Sequence, residues 1–197
     1  MKHDFVLEGE GFRLRPVTPG DVDFILELRC DEQLTQFLNP VSPDRQAQVD
    51  WLSEYERRPG DFYFVIERRG KGQPEGLVSL YDVQLEAGCA EWGRWILRKG
   101  SLAALESAWL VYRFAFERLG LQQVYCRTVR DNQAVVAFHD TCGCPDKTVL
   151  PAFFTIRGRR LDAVEHRVTA AAWEGQMAQR LQGLAARLAQ RMNRHGG

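Results

Sequence analysis

Apolar and polar residues alternate along Phe12-Arg-Leu-Arg-Pro-Val17, which predicts a short strand halted by Thr18-Pro19-Gly20. From Pro19 to Arg29 the period lengthens to that of a helix, with Val22, Ile25, Leu26 and Arg29 on one side and Thr18 as its cap. Asn39-Pro40 and Ser42-Pro43 break the chain before a second helix, Asp44 to Arg57, which Pro59-Gly60 ends. Three strands follow. Asp61 to Arg69 and Gly76 to Leu85 form a hairpin around Gly70-Lys-Gly-Gln-Pro74, and Ala90 to Leu97 comes after the turn at Ala87-Gly88.

The most regular segment is Leu102 to Leu119. Leu102, Leu105, Trp109, Tyr112, Phe116 and Leu119 step by three and four, one face of a helix that Gly120 stops. Gln123 to Arg130 is a strand, and Asn132 to Cys142 a short helix capped by Asp131 and closed by Gly143. Glu91 to Arg130 is thus strand, long helix, strand, the spacing of a βαβ unit with parallel strands. Thr148 to Ile156 and Arg160 to Thr169 pair around Arg157-Gly158-Arg159. The order βααβββαβαββ plus a final helix is α+β around one mixed sheet.

At 197 residues and 45% hydrophobic, the chain has the length and apolar content of one domain with a sizeable core. Its 26 Lys+Arg and 26 Asp+Glu cancel, which argues against a duplex-DNA binder and leaves room for self-association. The start lacks the apolar stretch of a signal peptide, and no run of about 18 apolar residues predicts a membrane span. Five scattered cysteines are unlike a disulfide framework, so a reduced, cytoplasmic compartment is expected.

The element order and three segments carry a resemblance to a known family. These are Ala90-Glu-Trp-Gly-Arg-Trp-Ile-Leu97, Glu106-Ser-Ala-Trp-Leu-Val-Tyr-Arg-Phe-Ala-Phe-Glu-Arg-Leu-Gly-Leu121, and Asp131-Asn-Gln-Ala-Val-Val-Ala-Phe-His-Asp-Thr-Cys-Gly-Cys144. Over roughly Phe12 to Trp173 they resemble the GNAT superfamily of acyl-CoA-dependent N-acyltransferases, and most the ribosomal-protein and amino-sugar N-acetyltransferase branches. The resemblance implies a mostly antiparallel central sheet flanked by helices, with a splayed parallel strand pair, and acetyl-CoA as acyl donor. It implies that backbone N–H groups near Trp95, Ile96 and Leu97 hold the thioester carbonyl. The stretch Arg98-Lys-Gly-Ser-Leu-Ala103 stands for the family loop, which offers backbone N–H groups and a helix start to the CoA pyrophosphate. One register puts Arg98 first and Ser101 and Ala103 at the small positions. The other makes Gly100 the first glycine and Leu102 the second. The first is preferred, because Ser and Ala still let backbone approach phosphate, whereas Leu102 is needed on the helix's apolar face. Arg98 and Lys99 would add charge for the phosphates. A solvated turn is the plain alternative.

Amide formation from a thioester requires that the amine lose a proton, that the oxyanion meet donors, and that the departing thiolate gain a proton. By resemblance Glu91 sits where relatives often place a proton-accepting carboxylate; otherwise it is an outward strand residue or an ion-pair partner for Arg94. His139 takes the position of a family tyrosine near the CoA sulfur, where an imidazole with a pKa of about 6.5 could protonate a thiolate. Its alternative is a surface or buried hydrogen-bonded histidine. Asn132 resembles the family asparagine that contacts the cofactor, with helix capping as its alternative. His139, Cys142 and Cys144 lack metal-site spacing and a fourth ligand, so no metal is expected. No Ser-His-Asp or Cys-His nucleophile is readable, which fits direct attack by the amine. His3, His166 and His195 are taken as surface residues. Trp51, Tyr55, Tyr63 and Tyr81 are read as core in preference to an acceptor pocket.

Residues 1–173 are read as the acyltransferase domain and 174–197 as an amphipathic helical tail. Met177, Leu181, Leu184 and Leu188 form its apolar seam, which packs on the chain's own body or on a second copy in a homodimer; attachment to an anionic membrane surface is the alternative. The tail carries Arg180, Arg187, Arg191 and Arg194 and no acid from residue 175 on, so residues 1–174 hold 22 of the 26 basic residues against all 26 acidic ones. The leading expectation is acetyl transfer from acetyl-CoA to a small primary amine such as an amino-sugar nucleotide, without nucleic-acid or integral-membrane partners. The rivals are a protein N-terminal acetyltransferase and a GNAT-fold binding module without catalysis.

Overall fold

The run Phe62-Tyr-Phe-Val-Ile66 is apolar without alternation because its strand is covered on both faces. Phe64 and Ile66 belong to one core cluster and Tyr63 and Val65 to another. The computed structural model describes residues 3–144 and 146–195. Eight strands form one sheet: β1 (Leu7–Glu8), β2 (Phe12–Pro16), β3 (Phe62–Arg68), β4 (Gln73–Gln84), β5 (Cys89–Leu97), β6 (Gln123–Val129), β7 (Asp146–Ile156) and β8 (Arg159–Thr169). Their order is β1-β2-β3-β4-β5-β6-β8-β7. All neighbours are antiparallel except β5 and β6, so the expected mixed sheet with one parallel pair is present.

On one face, α1 (Val22–Arg29) and α2 (Arg45–Tyr55) cover Val65, Leu77 and Ile96 with Ile25, Leu28 and Leu52. A single 3-10 turn, Pro19–Asp21, leads into α1, and the Asp21 carboxylate accepts from the Thr18 N–H at 2.8 Å and hydroxyl at 2.9 Å. Between β6 and β7 lies α4 (Gln133–Cys142). On the other face, α3 (Ala104–Arg113) and α6 (Ala178–His195) pack together over Phe12, Phe64, Leu80 and Trp92. A π-helical turn, Phe114–Arg118, extends α3, and a short helix α5 (Ala170–Ala172) with a second π turn, Trp173–Met177, leads into α6.

Several expectations need correction. Leu102 is not on the apolar face of α3. The helix begins at Ala104, and Leu102 is 50% exposed in the loop before it. The part of the preference for the first loop register that rested on Leu102 therefore fails; the part that rested on small residues stands beside a fully buried Ala103 at the helix start. The cap of α4 is Asn132, whose side chain accepts from the Val135 N–H; Asp131 lies one residue outside. Gly143 closes α4 at φ 84°, as a left-handed C-terminal residue should. The stripe of α6 is shifted from the expected seam. Met177 and Leu181 are buried as expected, but beyond them the buried line runs through Ala185, Ala189 and Met192 while Leu184 and Leu188 are only half-buried, because steps of four follow a different row of the helix than the alternating four and three of a heptad. That stripe joins the main core, so the tail packs on its own body.

Two histidines are not surface residues. His166 is fully buried, 3.0 Å from Asp140, and His3 packs among Phe5, Phe62 and Phe64. The side chain of His195 lies outside the described residues. No helix among the described residues is long and apolar enough to cross a membrane.

Candidate functional site

Sheet pairing between β5 and β6 stops early. Cys89 faces Gln123, Ala90 faces Val124 and Glu91 faces Tyr125, and beyond Glu91 the two strands part. The cause lies on the other edge of β5. Leu77 of β4 faces Ile96 and Ser79 faces Gly93, so three steps on β5 match two on β4. This bulge puts Arg94 at φ 47°, a left-handed backbone held by the side chain, which donates to both oxygens of buried Asp61 at 2.7 and 2.9 Å. A bulge increases local twist and bends its strand, which turns Trp92–Leu97 away from β6.

The gap is a cleft of about 460 Å³. Of the residues expected at the site, Glu91, Trp95, Ile96, Leu97, Asn132 and His139 line it together, with Tyr81, Arg127 and Phe154. Among the described residues, the edge of β5 past Glu91 that faces β6 has no strand partner. Trp95 is fixed by its indole N–H, 3.1 Å from the Ser107 hydroxyl, and by packing on Phe138. Arg98, Lys99, Gly100, Ser101, Leu102 and Ala103 are not in the cleft wall but run from the end of β5 into α3.

Glu91 is 8% exposed and fully engaged: Tyr81 Oη donates to Oε1 at 2.9 Å, and Arg127 Nη1 to Oε2 at 2.7 Å. Burial raises its pKa above the ordinary carboxylate range, and the Tyr81 hydroxyl and Arg127 charge work against that rise. Arg94 is not its ion-pair partner. Arg127 is, and it also meets Glu165 at 2.9 Å. Burial and the same carboxylate push the Tyr81 hydroxyl pKa up, so it stays a donor. The alternation in Tyr125-Cys-Arg-Thr-Val129 already put Arg127 on the face of Tyr125, which is the residue paired with Glu91.

His139 is 2% exposed, edge-on to Trp92, with its ring nitrogens 3.6 and 3.7 Å from Cys126 Sγ. Desolvation, and then the nearby His166, lower its pKa to about 3. The ordinary value assumed from sequence is therefore corrected: near neutral pH the ring is uncharged and can offer only a neutral N–H. Asn132 has its side-chain oxygen in the cap of α4 while also bordering the cleft.

The loop before α3 holds part of its own backbone: the Ser101 N–H donates to the Arg98 carbonyl at 3.1 Å and the Ala103 N–H to the Ser101 hydroxyl at 3.2 Å. Gly100 takes φ 81°, where no side chain intrudes, and the first turn of a helix always leaves N–H groups without intrahelical partners. Its side chains are less free than expected. Arg98 donates two hydrogen bonds to Glu27, at 2.9 and 2.6 Å, and one to the Pro74 carbonyl, so its charge is already matched. Ser101 donates to Glu75 at 2.6 Å. Lys99 is exposed and is the loop's available cation. Among the described residues no group of three or more His, Cys, Asp or Glu could hold a metal ion.

Tyr55 is core and stands outside the cleft wall, and its hydroxyl accepts from the Tyr63 N–H at 2.9 Å. Trp51 and Tyr63 line a second cavity of about 480 Å³ between α1, α2 and the bulge. Arg29 and Arg94 border both cavities.

Known proteins share this fold. The family model described as "Acetyltransferase (GNAT) domain" matches residues 12–145. The solved structure of apo FdhC, a nucleotide-linked sugar GNAT, is 26% identical with a TM-score of 0.75, covering 91% of this chain and 98% of its own. A GCN5-related N-acetyltransferase from Brucella melitensis has a TM-score of 0.79 at 18% identity, covering 92% and 85%. The spermidine N-acetyltransferase SpeG of Vibrio cholerae, in a mutant form, has 0.73 at 19%, covering 84% and 98%. The last two likenesses speak to the fold alone. No curated protein sequence matches the chain significantly. The splayed pair, the bulge that opens it and the family match together make the chain a member of the GNAT acetyltransferase family, an acyl-CoA-dependent acetyltransferase.

Proposed function

We propose that this enzyme acetylates the primary amine of a small acceptor, of the amino-sugar-nucleotide kind, by direct attack on acetyl-CoA. Acetyl-CoA would supply the activated thioester, seated by the backbone of residues 98–103 and by Asn132. The observation that carries the reading is the convergence of Glu91, Tyr81, His139 and the unpartnered edge of β5 on one cleft.

Each residue has a task there. Glu91, raised in pKa by burial and held by Arg127, accepts the proton of the incoming ammonium and so exposes the amine lone pair. Tyr81 orients that carboxylate. Backbone N–H groups of Trp95–Leu97 stabilise the oxygen on which charge develops. His139, neutral, donates a hydrogen bond toward the sulfur and does not act as an imidazolium acid, so the departing thiolate takes the second proton, which the attacking nitrogen sheds as the C–N bond forms and the C–S bond breaks. The aromatic wall of Trp92 and Trp95 keeps water from that end of the cleft. The nucleotide-sugar class draws support from the FdhC likeness, which belongs to that protein and reaches this chain only as a proposal.

The experiment is release of free thiol from acetyl-CoA with a panel of amino-sugar nucleotides, free amino sugars, polyamines and peptides. Turnover confined to the small amines is expected. Turnover with peptides alone would transfer the enzyme to protein N-termini, and the absence of acetyl-CoA binding would contradict the reading altogether.

A further inference from the structure

We propose that the cavity between α1, α2 and the β5 bulge binds an anionic group of the acceptor, a phosphate or a carboxylate, with Arg29 as its principal contact. The inference rests on the acetyl-transfer reading for the direction in which the acceptor lies, but its physical basis is a separate one.

Three guanidinium groups line this cavity, those of Arg29, Arg58 and Arg94, and none of its lining residues is acidic. Two of the three are already matched. Arg94 Nη1 donates to both oxygens of Asp61, and Arg58 lies 3.6 Å from Glu54. Arg29 differs. Its Nη2 donates to the Asn39 carbonyl at 3.1 Å, and among the described residues no carboxylate pairs with it and its buried Nε has no partner. Leaving a buried charged donor unsatisfied costs free energy that a folded protein normally avoids. The C-terminal end of α1 favours a cation in general, which accounts for a basic residue there. It does not account for turning the guanidinium inward, between two cavities, rather than out to water.

Burial acts on Arg29 as expected, lowering its pKa, with the positive Arg94 adding to that effect. Arginine nonetheless keeps its proton in proteins, so the site is cationic at any working pH. An oxyanion there would meet a fork of donors at low local dielectric, the situation in which Arg binds phosphate and carboxylate most strongly. Since Arg29 and Arg94 border the reacting cleft as well, an acceptor spanning both would present its amine near Glu91 and its anion near Arg29. A polycationic amine would be repelled by the same lining.

The test measures kcat/KM by thiol release for matched amines: glucosamine 6-phosphate against glucosamine, β-alanine against 3-aminopropan-1-ol, and spermidine. Wild type is expected to favour the anionic member of at least one pair by about tenfold or more and to use spermidine poorly, and the favoured pair identifies phosphate or carboxylate. Arg29→Ala should erase that preference, and Arg29→Lys should restore part of it. No preference in wild type, or a preference that survives Arg29→Ala in a variant with native circular dichroism, overturns the proposal while leaving acetyl transfer standing. If no amine is turned over, the small-amine reading fails, and calorimetric titration of CoA-saturated protein with pyrophosphate and with succinate decides the anion site by itself. Binding that weakens about tenfold in Arg29→Ala supports it, and no Arg29-dependent binding at about 10 mM overturns it.

Discussion

The carboxylate of Glu91 and the guanidinium of Arg127 stand 2.7 Å apart at the point where parallel pairing of β5 and β6 ends. One residue comes from each parting strand, so the contact bridges the apex of the cleft. It also opposes the burial that raises the pKa of Glu91. Replacing Arg127 by Met removes that opposition and should move the acid limb of the kcat/KM profile to higher pH, because Glu91 must lose its proton to serve as base. A pH profile of the variant checks the direction; an unmoved or lowered limb would count against Glu91 as the titrating group.

His139 gives a stability prediction. Its folded pKa of about 3 lies below the unfolded value, so between roughly pH 6.5 and 3 the unfolded chain binds the extra proton. Stability contributed by the neutral ring is complete above pH 6.5 and declines as pH falls, at up to about 1.4 kcal/mol per pH unit. His139→Phe should flatten the fall in unfolding free energy between pH 7 and pH 5, measured by urea denaturation. An equal fall in both proteins would place the proton uptake elsewhere.

Arg98 and Lys99 are neighbours with opposite commitments. Arg98→Ala breaks the contact with Glu27 on α1 and should lower stability by about 0.5–1 kcal/mol, with little change in CoA affinity. Lys99→Ala should weaken CoA severalfold, more at low salt than at high, and leave stability unchanged. Calorimetry with CoA and denaturation of both variants compare the two directly. A larger CoA defect in Arg98→Ala would mean that Arg98 leaves Glu27 for the phosphates.

Glu106 ties the N-terminal segment to α3. Fully buried, it accepts from the backbone N–H groups of Glu10, Gly11 and Phe12, at 3.0 and 3.1 Å from Gly11 and 3.2 Å from Phe12. Glu106→Ala leaves those donors unpaired and should destabilise by about 3 kcal/mol in urea denaturation. A loss below about 1 kcal/mol would mean that water replaces the carboxylate.

The strands and helices were legible because their periods and stops are local properties. The alternation of Phe12–Val17 and the three-four spacing from Leu105 to Phe116 depend on nothing beyond the next turn. Leu102 misled for the complementary reason. Its spacing continues the pattern, but Gly100 and the loop geometry start the helix only at Ala104. Glu91 and His139 could be singled out by resemblance, whereas their environments could not. The partner of Glu91 lies 36 positions away on a parallel strand, and the depressed pKa of His139 comes from burial among Trp92, Cys126 and His166. Arg29 fell on the side of α1 with Val22, Ile25 and Leu26, yet only the folded cavity distinguishes an inward cation from a surface one.

On the proposed chemistry, Glu91 accepts the amine proton in the cleft opened by the β5 bulge. The most direct measurement is kcat for thiol release by Glu91→Gln at saturating acetyl-CoA and acceptor, alongside its acetyl-CoA Kd. A fall of about 100-fold or more in kcat with Kd unchanged is expected, the usual scale for a lost general base. A kcat within about twofold of wild type would contradict that role and leave Glu91 as a structural partner of Arg127.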